Sequence, residues 1–581
     1  MRAPQRFLTH LAMFVVLSAA GSLLWQQHAR AWDLGRRSPV LSYDSSQYAV
    51  AARELAIHGR FATLFALPLE LARHPAAPWP LALVQPGLVI CEAALIALTP
   101  ARTRVIEGRA REILRPDQLE WTVLVTPYVS FMLIAIGLGL GTSHILRRYH
   151  PQVSPVRRAI AGTVVGLAFL LDPEAQHFAV GGFTELPFTL GLVGASAALA
   201  LGIGVRVPLL FGLALGVAGA FRGTMLWLAP VFAIGNTLSA DPGERRRVLV
   251  RTLIGYVIPL TPWWLYKWHA FGTPAWDLSA LSVWDGVQGR TWFSLFHTPD
   301  VPDLPHGGAA ASLLAQKLFR NLPGVLLSLA IGVRPLLMGG LALWLGLARE
   351  APRALRLAAG TLFVLMGVNI LATAISVPQL RYLFPVRVIM DAAGVLALWG
   401  LIARSSAPSP AMRRTLPVLL AATVLVWGVT ATRLGDEEAH QASMERGTPS
   451  TLSLLQIAAL MSREIPAGEP VMSNLGPALS WESHRPVIHL VVSPDQITAC
   501  RRRADFRNVL LVFRDAGTAW PEWTSVVAHP VDALHRVEWN VRTVRRYDTA
   551  DGFMVIWLVL GPLGPELAGD GAATESAPLV Q

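Results

Sequence analysis

The chain has 581 residues, of which 53% are hydrophobic and only 15% are charged. A soluble protein of this length would carry about a quarter charged residues, so an array of soluble domains is excluded. The net charge of +11 comes almost entirely from arginines in short clusters between apolar segments, which does not indicate nucleic-acid binding. The composition predicts a polytopic α-helical membrane protein. The two cysteines, Cys91 and Cys500, are too few for a disulfide framework and are predicted to be free.

The first apolar segment, Phe7–Trp25, follows Arg2 and Arg6 and predicts a membrane-spanning helix. It also has the form of a secretory signal peptide, with Ala29-Arg30-Ala31 as the cleavage site. We favour an uncleaved helix. Under both interpretations the residues that follow lie outside the cytoplasm.

Arginine-rich loops then alternate with uncharged loops, as the positive-inside rule requires. When the arginine clusters are assigned to the cytoplasm, the sequence predicts about eleven transmembrane helices and a long first outer loop, residues 26–120. The clusters are Arg147, Arg148, Arg157 and Arg158; Arg206; Arg245, Arg246, Arg247 and Arg251; Arg349, Arg353 and Arg356; and Arg404, Arg413 and Arg414.

Three segments need a separate interpretation. Arg53–Leu71, in the first outer loop, is amphipathic and predicts a helix on the membrane surface. Leu81–Leu98 is apolar but contains Gln85-Pro86-Gly87 and Glu92, which favours an interfacial or re-entrant helix over a span. Val207–Leu238 must hold two short helices or a re-entrant pair.

The sequence changes character after Arg433, where a soluble tail begins. Apolar residues at helical spacing predict a helix over Thr451–Ile465. We therefore expect a membrane module at 1–432, a small α/β domain outside the cytoplasm at 433–561, and a disordered end at 562–581. The predicted strands of this domain are Glu469–Asn474, Pro486–Val492, Asn508–Phe513 and Gly552–Leu560.

Several polar residues fall at the predicted outer ends of the helices, where burial of charge is costly and needs a reason. Carboxylates and arginines at one interface suit an anionic headgroup that is held while a proton is removed nearby. The residues concerned are Asp44, Tyr48, Asp172, Glu185, Arg222, Lys267, Arg381 and Tyr382.

The order and spacing of these residues resemble the type C glycosyltransferases, membrane enzymes that use polyprenyl-phosphate sugars. The most similar kinds are bacterial relatives of the protein O-mannosyltransferases and of the lipid A aminoarabinose transferases. The matching segments are Asp44-x-x-x-Tyr48 with His58-Gly59; His74-Pro75 and Gln85-Pro86-Gly87; Leu171-Asp172-Pro173; Thr184-Glu185-Leu186-Pro187-Phe188; Gly219-Ala220-Phe221-Arg222; Pro262-Trp263 with Phe271-Gly272; and Arg381-Tyr382-Leu383-Phe384-Pro385.

The resemblance implies an inverting glycosyltransferase in which Asp44 deprotonates an acceptor hydroxyl. One carboxylate suffices because a polyprenyl phosphate is already a weakly basic leaving group, unlike the leaving group in glycoside hydrolysis. Arg222 and Arg381 are the first candidates for binding the donor phosphate, with Lys267 next. Tyr48, Asp172, Glu185 and Tyr382 are further substrate-site candidates.

The expected partners are a polyprenyl-phosphate-linked sugar, membrane lipids, and a lipid, glycan or protein acceptor. The first loop has no Asp-x-Asp pair, so we predict no essential metal and no cofactor. The expected location is the inner or plasma membrane, with the active site outside the cytoplasm.

Structural roles remain open for the same residues. Asp44 and Asp172 are also suited to capping the helices that follow them, Glu185 to pairing with Arg222, and Arg381 to marking an interface. Two other functions also fit a polytopic chain: a secondary transporter, and a non-catalytic component of envelope polysaccharide assembly.

Overall fold

The computed structural model describes residues 3–32, 34, 42–99, 103–106, 109–112, 116–300, 302–331, 339–342, 351–404, 429 and 449–563. The predicted domain boundary at 432/433, the arginines at 349, 413 and 414, and residues 564–581 of the predicted disordered end lie outside this part of the chain.

The described residues form a bundle of apolar helices and a mixed α/β layer. The helices of the first half are α1 (Ala3–Ala31), α2 (Tyr43–His58), α3 (Pro86–Leu98), α4 (Pro116–Tyr149), α5 (Pro155–Leu170), α6 (Pro173–Val180), α7 (Glu185–Ala200), α8 (Ile203–Arg206), α9 (Pro208–Phe221), α10 (Met225–Ser239) and α11 (Arg245–Phe271). The later helices are α12 (Trp292–Phe296), α13 (Gly307–Ile331), α14 (Arg353–Ile375), α15 (Phe384–Arg404), α16 (Thr451–Glu464), α17 (Gly476–Ser483), α18 (Ile497–Arg503) and α19 (Thr524–Ala528).

Four helical segments in the described residues are long and apolar enough to cross a membrane: Phe7–Ala31, Trp121–Tyr149, Pro242–Phe271 and Arg353–Ile375. Large apolar side chains lie exposed on their surfaces, as expected where lipid is the solvent. The chain is therefore a multi-pass membrane protein. The count of about eleven spans stays a prediction.

The helices pack closely through small residues. At Gly212 of α9, a side-chain Cβ would collide with the backbone carbonyl of Thr252 in α11. At Gly255 of α11, a Cβ would collide with the carbonyl of Leu209. These glycines let the two backbones approach closely. Close packing through small residues is common in membranes, because lipid is as apolar as the side chains and the hydrophobic effect does not drive the helices together.

The structure corrects the predicted surface helix at Arg53–Leu71. The helix is α2, which ends at His58 where Gly59 adopts the left-handed conformation (φ 64°). Most of α2 is buried against the rest of the protein, and the chain beyond it forms two short strands, β1 (Ala62–Thr63) and β2 (Phe65–Ala66). The amphipathic pattern reflected packing against protein and not against a membrane surface.

The apolar segment at Leu81–Leu98 contains a helix too short to span a bilayer. Helix α3 has 13 residues, about 20 Å, against a hydrocarbon thickness of about 30 Å. The two short helices required within Val207–Leu238 are α9 and α10.

The tail contributes most of a six-stranded sheet, and the first loop contributes its edge. Two small hairpin-like sheets lie elsewhere, β1 with β3 (Trp79–Pro80) and β4 (Thr103–Ile106) with β5 (Arg109–Glu112). The strand order of the large sheet is β2-β7-β6-β8-β10-β9, with β2, β7, β6 and β8 parallel and β10 antiparallel to both neighbours. Its tail strands are β6 (Val471–Ser473), β7 (Val487–His489), β8 (Asn508–Phe513), β9 (Val541–Asp548) and β10 (Met554–Leu560).

The predicted strand at Asn508–Phe513 has the observed bounds, and the other three are shorter than predicted. Two strands of the six-stranded sheet, β2 and β9, and the four strands of the two small sheets were not predicted. Arg53, only 1% exposed, fastens α2 to the tail through hydrogen bonds to the carbonyls of Trp481 (2.6 Å) and Ser480 (3.1 Å). The first loop and the tail therefore form one packed layer against one end of the helix bundle.

Candidate active site

A cavity of about 1360 Å³ lies between the ends of the helices and the sheet layer. This volume exceeds that of a usual small-ligand pocket, about 300–1000 Å³, and is large enough for two substrates. Seven of the eight predicted site residues line it: Asp44, Tyr48, Glu185, Arg222, Lys267, Arg381 and Tyr382.

Asp44 lies in the first turn of α2 but does not cap the helix. The cap is Ser42, whose side chain accepts a hydrogen bond from the Ser45 amide (3.2 Å). The proposed capping role of Asp44 is therefore wrong. Its Oδ2 instead accepts a hydrogen bond from Nη1 of Arg381 (2.7 Å), and its side chain is 39% exposed. The carboxylate is both held in place and accessible from the cavity.

Arg381 lies in the short turn Leu380–Tyr382 between α14 and α15. Besides Asp44, its guanidinium contacts the hydroxyl of Tyr382 (3.4 Å) and lies 5.2 Å from that ring. Its Nε is buried and has no hydrogen-bond partner among the described residues. The guanidinium has five N–H groups and the side chain is 32% exposed, so Arg381 can donate to a ligand while it holds Asp44.

Glu185 and Arg222 form a buried ion pair. Glu185 is the first residue of α7 and Arg222 follows α9, at a helix C-terminus where a cation is favourable. Nη1 of Arg222 and Oε1 of Glu185 are 2.6 Å apart, with side-chain exposures of 13% and 3%. The structural interpretation of Glu185 as a partner of Arg222 is borne out by this contact.

Lys267 is the cavity cation that lacks a carboxylate partner. It lies one turn before the end of α11, is 5% exposed, and its Nζ is 5.3 Å from the centre of the Trp263 ring. It forms no salt bridge with any described carboxylate. Asp277 acts on it only from beyond salt-bridge distance, so an anion entering the cavity would meet a charge that no described salt bridge neutralises.

The tyrosines near Asp44 are poor candidates for a base. Burial raises the pKa of Tyr48 above its usual range, with a further contribution from Asp44, and its hydroxyl bonds to Thr184. Burial also raises the pKa of Tyr43, with Glu70 and Asp44 adding to the effect. Both phenols therefore stay neutral, and Asp44 is the better proton acceptor.

Asp172 does not line the cavity, which leaves its predicted substrate role without structural support. It caps α6 by accepting a hydrogen bond from the Glu174 amide (3.0 Å). Its other oxygen is 2.7 Å from Nη2 of Arg387, and Nη1 of Arg387 is 2.8 Å from Glu174. Asp172 thus belongs to an ion-pair network that joins α6 to α15. Sequence reasoning missed Arg387, which only its position after the Arg381-Tyr382 segment could have indicated.

Sequence reasoning also missed a group of aromatic residues on the tail side of the cavity. They come from the loop around α12 and from two separate parts of the sheet layer, and no local pattern connects them: Trp292, Phe293, His297, His489 and Trp520. The described residues contain no cluster of three or more His, Cys, Asp or Glu side chains arranged to hold a metal ion. Cys91 and Cys500 are free.

Comparison with protein-family models and with curated proteins gives no match. Solved structures do match in fold. ArnT from Cupriavidus metallidurans bound to undecaprenyl phosphate superposes with a TM-score of 0.53 at 15% identity, covering 94% of this chain and 99% of that one. ArnT in the apo state gives 0.50 at 15% identity, over 94% and 98% of the two chains. The oligosaccharyltransferase of Archaeoglobus fulgidus gives 0.53 at 12% identity, over 92% and 72%. The chain therefore has the fold of the type C membrane glycosyltransferases, as the resemblance in sequence predicted.

Proposed function

We propose that this protein is an inverting glycosyltransferase that moves a sugar from a polyprenyl-phosphate donor to an acceptor hydroxyl on the outer side of the membrane. The observation that carries the proposal is the position of Asp44, an accessible carboxylate in the wall of a large cavity that also contains three cationic side chains. The fold supports it, because ArnT with this fold binds undecaprenyl phosphate.

In the proposed reaction Asp44 takes the proton of the acceptor hydroxyl. The acceptor oxygen attacks the anomeric carbon from the face opposite the phosphate, so the new glycosidic bond forms as the bond between carbon and phosphate oxygen breaks. The polyprenyl phosphate leaves with the electron pair and needs no proton. One base and a set of cations therefore suffice.

The three cationic side chains have different contacts, and each is therefore expected to interact with the donor phosphate in a different way. Lys267 offers the phosphate a positive charge that no described salt bridge engages. Arg381 holds Asp44 through Nη1 and has further N–H groups for a phosphate oxygen, which ties the base to the leaving group. Arg222 is already neutralised by Glu185, so it contributes hydrogen bonds more than net charge.

The test is transfer by the purified protein in lipid nanodiscs, with a panel of polyprenyl-phosphate sugars and envelope extracts as acceptors. Asp44→Asn is expected to lower the rate of polyprenyl phosphate release by about 10²–10⁴-fold while undecaprenyl phosphate still binds. Asp495→Asn, in which the replaced side chain is 78% exposed and does not line the cavity, is the control and is expected to retain activity. The proposal is overturned if no donor is consumed, or if Asp44→Asn transfers as fast as the wild type.

The side of the membrane is tested separately. Asp300 is exposed, with 75% of its side chain accessible, in the loop on the cavity side. A cysteine at this position should react with a membrane-impermeant maleimide added outside intact cells. Reaction only after the cells are permeabilised would place the cavity on the cytoplasmic side.

A further inference from the structure

Six aromatic side chains in contact with one another lie on the tail side of the cavity and are here called the aromatic wall. Its members all line the cavity, and they are Tyr43, Trp292, Phe293, His297, His489 and Trp520. Tyr43 is the residue directly before Asp44, so the wall begins beside the proposed base.

The rings contact one another across long distances in sequence. The centroids of His297 and His489 are 4.1 Å apart, and His489 lies parallel to Trp520 at 5.9 Å with an interplanar angle of 5°. Tyr43 meets His489 edge-on at 5.4 Å, and Phe293 lies 5.2 Å from Trp520. These contacts fix the wall as one unit built from the first loop, the region of α12 and the tail.

The wall is electrically neutral. Burial lowers the pKa of His489 to about 4, and burial together with His489 lowers the pKa of His297 well below its ordinary value. Both imidazoles are therefore uncharged at neutral pH, and the wall contains no Arg, Lys, Asp or Glu. The cavity thus has a cationic part, with Lys267 and Arg381, and a neutral aromatic part.

His297 gives the wall an unused polar function. The residue is fully buried, and neither of its ring nitrogens has a well-aligned hydrogen bond within the described residues, although the carbonyl of Leu490 lies near the ring. A neutral imidazole has one donor and one acceptor; the Leu490 carbonyl can serve only the donor, and an acceptor left unpaired in a buried position is costly. A ligand hydroxyl that donates to this nitrogen would satisfy it.

We propose that the aromatic wall is the acceptor subsite and that it binds the sugar ring of a carbohydrate acceptor. This inference rests on the proposed glycosyl transfer. The C–H face of a sugar ring packs against flat aromatic rings, and its hydroxyls pair with His297. A ring bound next to Tyr43 would present a hydroxyl to Asp44.

Other acceptors fit the wall less well. A phosphorylated headgroup would find no cation there, and an alkyl chain would leave the acceptor nitrogen of His297 unpaired. The wall also faces the sheet layer of the tail, away from the lipid-exposed helix surfaces, which suits a soluble or protruding glycan. A lipid and a peptide are therefore kept as competing outcomes of the test.

The experiment measures binding to the full-length protein in nanodiscs by saturation-transfer NMR and tryptophan fluorescence. The probes are methyl hexopyranosides and methyl pentofuranosides, a short-chain acyl lipid, and a tryptophan-containing tripeptide. The glycosides are expected to bind, and Trp520→Ala and His297→Phe are expected to weaken them about 3- to 10-fold. Trp520 is half-buried, so its removal should not prevent folding.

Trp268→Ala is the matched control, because Trp268 is 62% exposed and does not line the cavity. It should leave glycoside binding unchanged. All three variants should bind undecaprenyl phosphate like the wild type, since its site lies in the cationic part.

The outcomes separate the two proposals. If donor is consumed in an Asp44-dependent reaction but no glycoside binds, or the acyl lipid or peptide binds at the wall instead, the acceptor inference is wrong and the transferase proposal stands. If glycosides bind with equal affinity to the wild type and to Trp520→Ala and His297→Phe, the wall is not their site and the inference is also wrong. If no donor is consumed under any condition, the transferase proposal itself fails.

Discussion

The buried pair of Glu185 and Arg222 should contribute to stability far more than an exposed pair of the same chemistry. Glu185→Gln removes the negative charge but keeps an oxygen that can accept a hydrogen bond. Because the two side chains are only 3% and 13% exposed, the guanidinium would be left in a poorly hydrated place without a counter-charge. Breaking buried pairs in this way costs about 3–5 kcal/mol, and the retained acceptor places this variant near 3 kcal/mol.

The chain supplies its own control in Glu244 and Arg247. Their atoms are 3.1 Å apart, but the side chains are 55% and 58% exposed, so water screens the pair. Glu244→Gln should therefore cost no more than about 1 kcal/mol. The expected difference between the two substitutions is about 2 kcal/mol or more.

The assay is the apparent Tm of the purified protein at fixed detergent, lipid and protein concentrations, because large membrane proteins often unfold irreversibly. Glu185→Gln should lower the Tm clearly more than Glu244→Gln. The double variant Glu185→Gln/Arg222→Gln should recover part of the loss, since it leaves a neutral pair with no stranded charge. The reasoning is refuted if Glu185→Gln and Glu244→Gln lower the Tm equally. It is also refuted if the double variant Glu185→Gln/Arg222→Gln loses as much as Glu185→Gln and Arg222→Gln, measured singly, lose together.

Two further predictions follow from the sheet layer. Burial lowers the pKa of His489 in the folded protein to about 4, against about 6.5 in the unfolded chain. The stability that neutral His489 contributes is therefore fully present above pH 6.5 and is lost as the pH falls toward 4. The loss in folding free energy at pH 5 is about 2 kcal/mol. Between pH 7.5 and pH 5, the Tm of His489→Gln should fall less than the Tm of the wild type. The control is His529→Gln, in which the replaced side chain is exposed, and its Tm should fall as much as that of the wild type. A fall in His489→Gln as large as in the wild type would contradict the prediction. Arg53→Lys should lose one of the two hydrogen bonds to Ser480 and Trp481, at a cost of about 1–3 kcal/mol. Hydrogen–deuterium exchange should then rise in α17 and not in β8. If the exchange of α17 is the same in Arg53→Lys and in the wild type, the hydrogen bonds of Arg53 do not stabilise the contact between α2 and the tail.

The sequence was a good guide wherever the physical signal is local. The turn between α9 and α10 could be placed because Phe221-Arg222 interrupts an apolar run, and β8 could be bounded because Asn508–Phe513 is apolar and buried on both faces. The edge strand β9 was missed because its exposed arginines, which protect a sheet edge, hide the alternating pattern. Strand β2 was missed because a strand of two residues is too short to show the alternation of apolar and polar residues by which strands are recognised.

In the candidate active site, too, local features could be predicted from the sequence and most contacts between distant residues could not. The sequence by itself determined that apolar helices cross a membrane and that a carboxylate and several cations lie at their ends, because hydropathy and charge belong to each segment separately. The sequence left the pairing of Glu185 with Arg222 as one of the open roles, and the structure confirms it. Only the tertiary structure decided that Asp44 meets Arg381, 337 positions away, and that Asp172 meets Arg387 rather than the cavity. It also assembled the aromatic wall from four distant segments. Side-chain partnership depends on distances set by helix packing and loop placement, and no property of a single segment contains that information.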